Sequence, residues 1–319
     1  MPDILFIKTS SLGDVIHHLP AVTDVRRYLP DARISWVVEE PYAPLAALHP
    51  AVARVIPVAS RRWRHRLWEG ATWREMRQFR SELQANPYDI IIDTQGLLRT
   101  GLIAWFARGR RHGYDAASIR EPLAARFYNV RHRVDRTRHA IDRNRTLTGL
   151  ALGYAPAGPP DFGLGQFQAA AYARRTAVLL HGTARPEKQW PVERWRAVAE
   201  ALAGQGYGLV LPSGDAAEAA RSHEIAAGLS GVELPHRQPL DAVARTLAEA
   251  AVVIGVDTGL LHLAAALSRP LVAVFVGGSD PRLTGPIGAG PIEVLGREGA
   301  MPTVADVMAA VGNLAATRR

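Results

Sequence analysis

Three short segments set lysine, hydroxyl, carboxylate and glycine residues in polar turns, a combination that can hold anionic oxygens or move a proton. The first is KTSSLGDV, Lys8 to Val15, which runs from an apolar stretch through a hydroxyl-rich turn into a helical pattern. Gly13 gives the turn backbone freedom, and Thr9, Ser10 and Ser11 can cap a helix or bind an anion. Asp14 falls in the first helical turn. A carboxylate there can complement the helix dipole or take a proton as a general base. Local sequence favours the capping role slightly and leaves both open. Lys8, at the strand end, can contact a phosphate or an acceptor, or pair with an acid. His17 and His18 lack the i,i+4 spacing of a metal pair, so neither is read as a ligand.

The second segment, HGTARPEKQWP, again follows an apolar run with a polar loop. Thr183 and Lys188 can hold a diphosphate there, although a lone lysine is by default a surface charge. Trp190 and Trp195 read as packing residues. In LPSGDAAE, Glu218 lies near a helix start, where it can accept ribose hydroxyls or simply favour the helix. The third segment, GVDTGLLHL, is the most specific. Gly259 lets backbone amides approach a ligand, and Thr258 and Leu260 can donate those amides to phosphate oxygens at a helix N-terminus. Asp257 would repel a bare diphosphate, so it suits sugar hydroxyls or loop anchoring. His262 can neutralise a phosphate or pack half-buried. Neither GxGxxG nor a Walker A motif is present.

The elements around these segments alternate. In the first half, strands are expected at Ile4–Ile7, Ile34–Val38, Val52–Val58, Ile90–Asp93 and near His112–Tyr114. Helices are expected at Asp14–Tyr28, Thr72–Gln84 and Gly96–Phe106. The second half repeats the pattern from Ala177 onward. Such alternation predicts βαβ units and parallel sheets, with ligands beyond the strands' carboxyl ends. The Pro/Gly-rich passage Gly153–Gly165 reads as a linker. The expectation is an α/β chain of two doubly wound domains, 1–160 and 161–319, with a ligand-binding cleft between them.

Composition narrows the classes. At 319 residues, 48% hydrophobic and 21% charged, the chain suits two globular cores. It has no cysteine, so a disulfide, a thiolate metal site and a cysteine nucleophile are excluded. The opening MPDILFIKTSSLGDV reads as a first strand rather than a leader, and no apolar run is long enough to span a bilayer. The net charge of +8 is localised. Arg61 to Arg80 contains seven arginines and two acids, and Arg120 to Arg145 eight arginines and three acids. Such blocks attract phosphate-bearing partners, whether nucleic acid, anionic lipid or phosphorylated sugar.

Together, KTSSLGDVIHHLP, WVVEE, RRWRHRLW, IDTQGL, HGTARPEKQWP, LPSGDAAE and GVDTGLLHLAAAL resemble the lipopolysaccharide heptosyltransferase I family, in glycosyltransferase family 9. The segments span Lys8 to Leu267 in the family's order. The resemblance implies a GT-B fold of two facing Rossmann-like domains, the first binding the acceptor and the second the donor. It implies inverting transfer of L-glycero-D-manno-heptose from ADP-heptose to Kdo of Kdo2-lipid A, with no cofactor or essential metal. Asp14 then matches the catalytic base, and Lys188 and Thr183 the donor-phosphate contacts, with Lys188 also stabilising the leaving diphosphate. Glu218 matches the ribose contact, and Asp257, Thr258, Gly259, Leu260 and His262 the donor loop. Lys8, Arg61, Arg62, Arg64 and Arg120 fall to the acceptor side. One departure is a hydroxyl residue missing at Ala184. The implied location is cytoplasmic, peripheral to the anionic inner membrane, with no nucleic-acid partner.

Other classes predict other behaviour. A GT-B enzyme of different donor specificity would keep the glycine turns and change the sugar. A nucleic-acid binder would use the charge and leave the turns idle. A periplasmic-type binding protein shares the two-domain layout but requires a signal peptide.

Overall fold

The computed structural model describes all residues except 168–174, 184, 278–280, 297–299 and 317–319. Among the described residues, twelve strands form two six-stranded sheets. In the first unit, Met1–Gly163, the strands are β1 (Asp3–Ile7), β2 (Arg33–Glu39), β3 (Val52–Val58), β4 (Tyr88–Asp93), β5 (Gly109–Tyr114) and β6 (Val130–His132). In the second, Leu164–Arg319, they are β7 (Thr176–Leu180), β8 (Gly208–Val210), β9 (Val232–Glu233), β10 (Val252–Val256), β11 (Leu271–Val274) and β12 (Ile292–Leu295).

All pairings are parallel, in the orders β3-β2-β1-β4-β5-β6 and β12-β11-β10-β7-β8-β9. Each unit therefore has the doubly wound order, with switch points between β1 and β4 and between β7 and β10. Central strands such as ILFI in β1 and VVIGV in β10 are wholly buried. Helices cover both faces of such sheets, which is why these strands read as continuous apolar runs instead of alternating.

Two expectations change. The helix foreseen over Asp14–Tyr28 is two helices, Leu12–Ile16 and Leu19–Tyr28. Pro20 has no N–H to give the Ile16 carbonyl, so the helix stops and restarts with proline in its first turn. Strand β6 went unforeseen. Its sequence, VRH, is only partly buried at the sheet edge and carries no apolar run.

Part of the basic charge is structural. Arg145 forms a bidentate pair with Asp24, at 2.7 and 3.1 Å, and donates to the Ala157 and Gly158 carbonyls. Both partners are buried, and the pair ties helix Ala140–Leu152 to helix Leu19–Tyr28. Trp190 and Trp195 pack edge-to-face at 5.2 Å in the core of the second unit, as their reading as packing residues expected. The terminal helix Val304–Ala316 buries Val307, Ala310, Val311 and Leu314 in the same core.

Several buried histidines make the fold acid-sensitive, His49 and His181 among them. Burial lowers His49 and His181 from 6.5 to about 4. The unfolded chain takes up their protons first, so the stability they permit is complete above about pH 6.5 and is lost as pH falls toward about 4. The urea-unfolding free energy should drop by about 2 kcal/mol per histidine between pH 7 and pH 5. A His49→Gln/His181→Gln variant should make that slope shallower by the share of these two rings, with buried His18 and His112 keeping the remainder. A flat profile in the unsubstituted chain would contradict the assignment.

Candidate active site

At the first switch point, Lys8, Thr9 and Ser10 continue from β1, and Asp93, Thr94 and Gln95 arrive from β4. Gln95 Oε1 accepts the Thr9 and Ser10 amides, each at 3.2 Å, and Arg99 donates to Ser10 Oγ at 2.7 Å. Asp93 is fully buried. It accepts from the Gln95 and Gly96 amides and, at 2.7 Å, from the Tyr128 hydroxyl. Burial pushes the Asp93 carboxyl up, and these hydrogen bonds oppose the shift.

Asp14 caps its own short helix. Its Oδ2 accepts from the Ser11 amide at 2.8 Å and the Ser11 hydroxyl at 3.0 Å. Its Oδ1 lies 3.7 Å from Lys8 Nζ, and 36% of the side chain stays exposed, enough for a substrate hydroxyl to reach it. Lys8 is buried and donates to the Thr94 carbonyl at 3.2 Å. Burial pulls its ammonium down from the usual lysine range, while Asp14 and Asp93 pull it back up. His18 is a core residue, set edge-on to Phe6 and Trp36, and burial holds it well below the usual imidazole range. His17 is also buried, with its ring 5.4 Å from that of His139.

Arg61, Arg62 and Arg64 come together on helix Ser60–Trp63 and its C-cap. Trp63 anchors that helix by donating to Glu75 at 2.8 Å. Arg62 is already held by Glu40 and Glu75, whereas Arg61 packs over the Tyr42 ring and Arg64 donates to His65. Arg120 is exposed on a separate loop after β5.

At the second switch point, His181, Gly182 and Thr183 follow β7, and Asp257 and Thr258 follow β10. Lys188, in the 3-10 turn Pro186–Lys188, places Nζ 2.6 Å from Asp257 Oδ2. Thr183 Oγ1 donates to the Asp257 carbonyl at 3.2 Å. Of the two roles open to Asp257, this geometry supplies the anchoring one. Asp215 caps helix Ala216–Ala226 through the Glu218 amide, and Glu218 Oε2 accepts the Gly214 amide at 2.7 Å. The Glu218 carboxylate lies over Gly182, where a methyl group would overlap it. Thr258 is the N-cap of helix Gly259–Ala266, so the Gly259 and Leu260 amides fall in its first turn. His262 is buried in that helix. Ala184 and Gly278 to Asp280 lie outside the described residues.

Lys188, Thr183 and Asp257 thus form one cluster, with Glu218 against Gly182 beside it. Sequence reasoning missed Asp93, Gln95 and Tyr128 as supports for the first turn. The available signal was DTQG directly after a buried strand. Among the described residues, no group of three or more His, Asp or Glu side chains could hold a metal ion, and no helix is long and apolar enough to cross a membrane.

Two Rossmann-ordered units, each with a polar turn at its switch point, have the layout found in the GT-B glycosyltransferase class. The family model described as glycosyltransferase family 9 (heptosyltransferase) matches residues 76–310. The chain is 43% identical over 290 residues to lipopolysaccharide heptosyltransferase 1 of Escherichia coli K12, covering 89% of this chain and 91% of that protein. It is similar to the E. coli heptosyltransferase WaaC solved with ADP, at 40% identity and a TM-score of 0.91, over 98% of this chain and 99% of that one. The same enzyme solved with ADP-2-deoxy-2-fluoro heptose gives a TM-score of 0.89, at the same identity and coverage. This chain belongs to glycosyltransferase family 9.

Proposed function

We propose that this chain transfers L-glycero-D-manno-heptose from ADP-heptose to Kdo of Kdo2-lipid A, inverting the anomeric centre. The observation that carries this reading is the full-length likeness to a heptosyltransferase solved with ADP and a fluorinated ADP-heptose. The Lys188–Asp257–Thr183 cluster at the second switch point is in keeping with it. Asp14 removes the proton from the acceptor hydroxyl, which attacks the anomeric carbon as ADP leaves. Lys188 and the first-turn amides of helix Gly259–Ala266 stabilise the charge growing on the diphosphate. Thr183 and His262 contact the donor, and Glu218 accepts its ribose hydroxyls. Lys8, Arg61, Arg62, Arg64 and Arg120 serve the carboxylates and phosphates of the acceptor, which lies in an anionic membrane.

The direct test is turnover of ADP-heptose with Kdo2-lipid A, beside other nucleotide sugars and other acceptors. Preference for a different donor or acceptor would refute the assignment. A finer test concerns Glu218. Gly182→Ala pushes a flexible carboxylate aside without touching the backbone fold. The donor KM should rise by about tenfold, the scale of one hydrogen bond to a charged group, with an unchanged melting temperature. An unchanged KM would remove Glu218 from the donor site.

A further inference from the structure

Helix Leu98–Phe106 turns an apolar stripe outward. Its exposed positions, Leu98, Leu102 and Trp105, are spaced i, i+4, i+7 and therefore lie along one face. With Leu123, on the 3-10 turn Pro122–Phe127 that packs against this helix, their exposures run from 42% to 56%. The opposite face buries Thr100, Gly101, Ile103 and Ala104, so the stripe is additional to what the fold uses. The surrounding charge is mostly positive, with Glu121, which accepts the Leu98 amide, as an acid at the start of the stripe. Between Thr94 and Tyr114 there are four arginines and no acid. Arg108 and Arg126 are exposed next to the helix end and the 3-10 turn, and Arg80 stacks on the Phe106 ring.

We propose that Leu98, Leu102, Trp105 and Leu123 form a face that inserts into the interfacial layer of an anionic phospholipid membrane, with the neighbouring arginines on its headgroups. Leucine and tryptophan on one helical face beside arginines match that interface in both hydrophobicity and charge. A second copy of the chain would bring the same arginines together and repel. The inference deepens the proposed function, since it rests on the reading that the acceptor is lipid-anchored. It places the membrane contact on a helix apart from the Arg61–Arg64 segment.

The test is co-sedimentation of the full chain with vesicles of phosphatidylcholine alone or with phosphatidylglycerol, without acceptor. The chain should bind the anionic vesicles preferentially. Leu102→Gln/Trp105→Gln should weaken that binding by at least about tenfold, the equivalent of about 1.4 kcal/mol. Arg108→Glu/Arg126→Glu, which alters only exposed charge, should weaken it as well. Transfer to a water-soluble, acyl-free Kdo acceptor should be unchanged in both variants. Equal vesicle binding by the Leu102/Trp105 variant, or none by the unsubstituted chain, would overturn the proposal. So would a stripe variant that only converts a dimer to a monomer. Failure of transfer with every acceptor would refute the proposed function instead, and the vesicle result would still decide the docking face.

Discussion

Asp14→Asn should lower the transfer rate by at least about a hundredfold, within the range for loss of a general base, while ADP-heptose affinity stays nearly unchanged. The structure makes this substitution informative. An asparagine oxygen can still accept the Ser11 amide and hydroxyl that Asp14 holds at 2.8 and 3.0 Å, so the helix Leu12–Ile16 keeps its cap. The charge beside Lys8 and the capacity to take a proton are lost. Purely structural damage would appear as a lowered melting temperature and weaker donor binding together. Single-turnover rates and donor titration separate these outcomes. Normal turnover by the variant would eliminate Asp14 as the base.

Lys188→Ala should cost about a hundredfold or more in kcat/KM, the scale seen when one preorganised donor to a developing anion is removed. Lys188 Nζ and Asp257 Oδ2 are 2.6 Å apart, with both side chains largely buried. The lysine is therefore held in place before a donor binds, and its amine need not be ordered during reaction. Removing it also strips Asp257 of a cation, leaving a carboxylate that repels the incoming diphosphate. Lys188→Ala/Asp257→Asn should therefore recover part of the donor affinity lost in the single variant while remaining slow in transfer. Calorimetric donor binding and steady-state kinetics on both variants give the comparison. Unchanged kinetics in Lys188→Ala would take the lysine out of the donor site.

The fold was legible where burial writes directly into composition. Strands ILFI and VVIGV are read from continuous apolar runs, because a central parallel strand has both faces covered. Strand VRH at the edge of the first sheet was not legible, since an edge strand needs only backbone pairing and partial burial. Pro20 was visible in the sequence, and its break between Ile16 and Leu19 follows from the missing N–H.

The α/β class, the doubly wound alternation and the three polar turns follow from residue order alone, because periodicity and glycine placement are local properties. Residue order also carries the family resemblance, through several turns in a fixed order. Which turn residues meet depends on the folded chain. Lys8 and Thr94 are 86 positions apart, and Lys188 and Asp257 are 69 apart. Parallel pairing of β1 with β4, and of β7 with β10, brings each pair together at the carboxyl ends of central strands. The same folding decided which charges are structural. Arg145 is buried against Asp24 and Arg62 is held between two glutamates, whereas Arg120 stays exposed. Composition counts all three alike, because the energy of a charge depends on its partners and its solvent, and both are set by how separate elements pack.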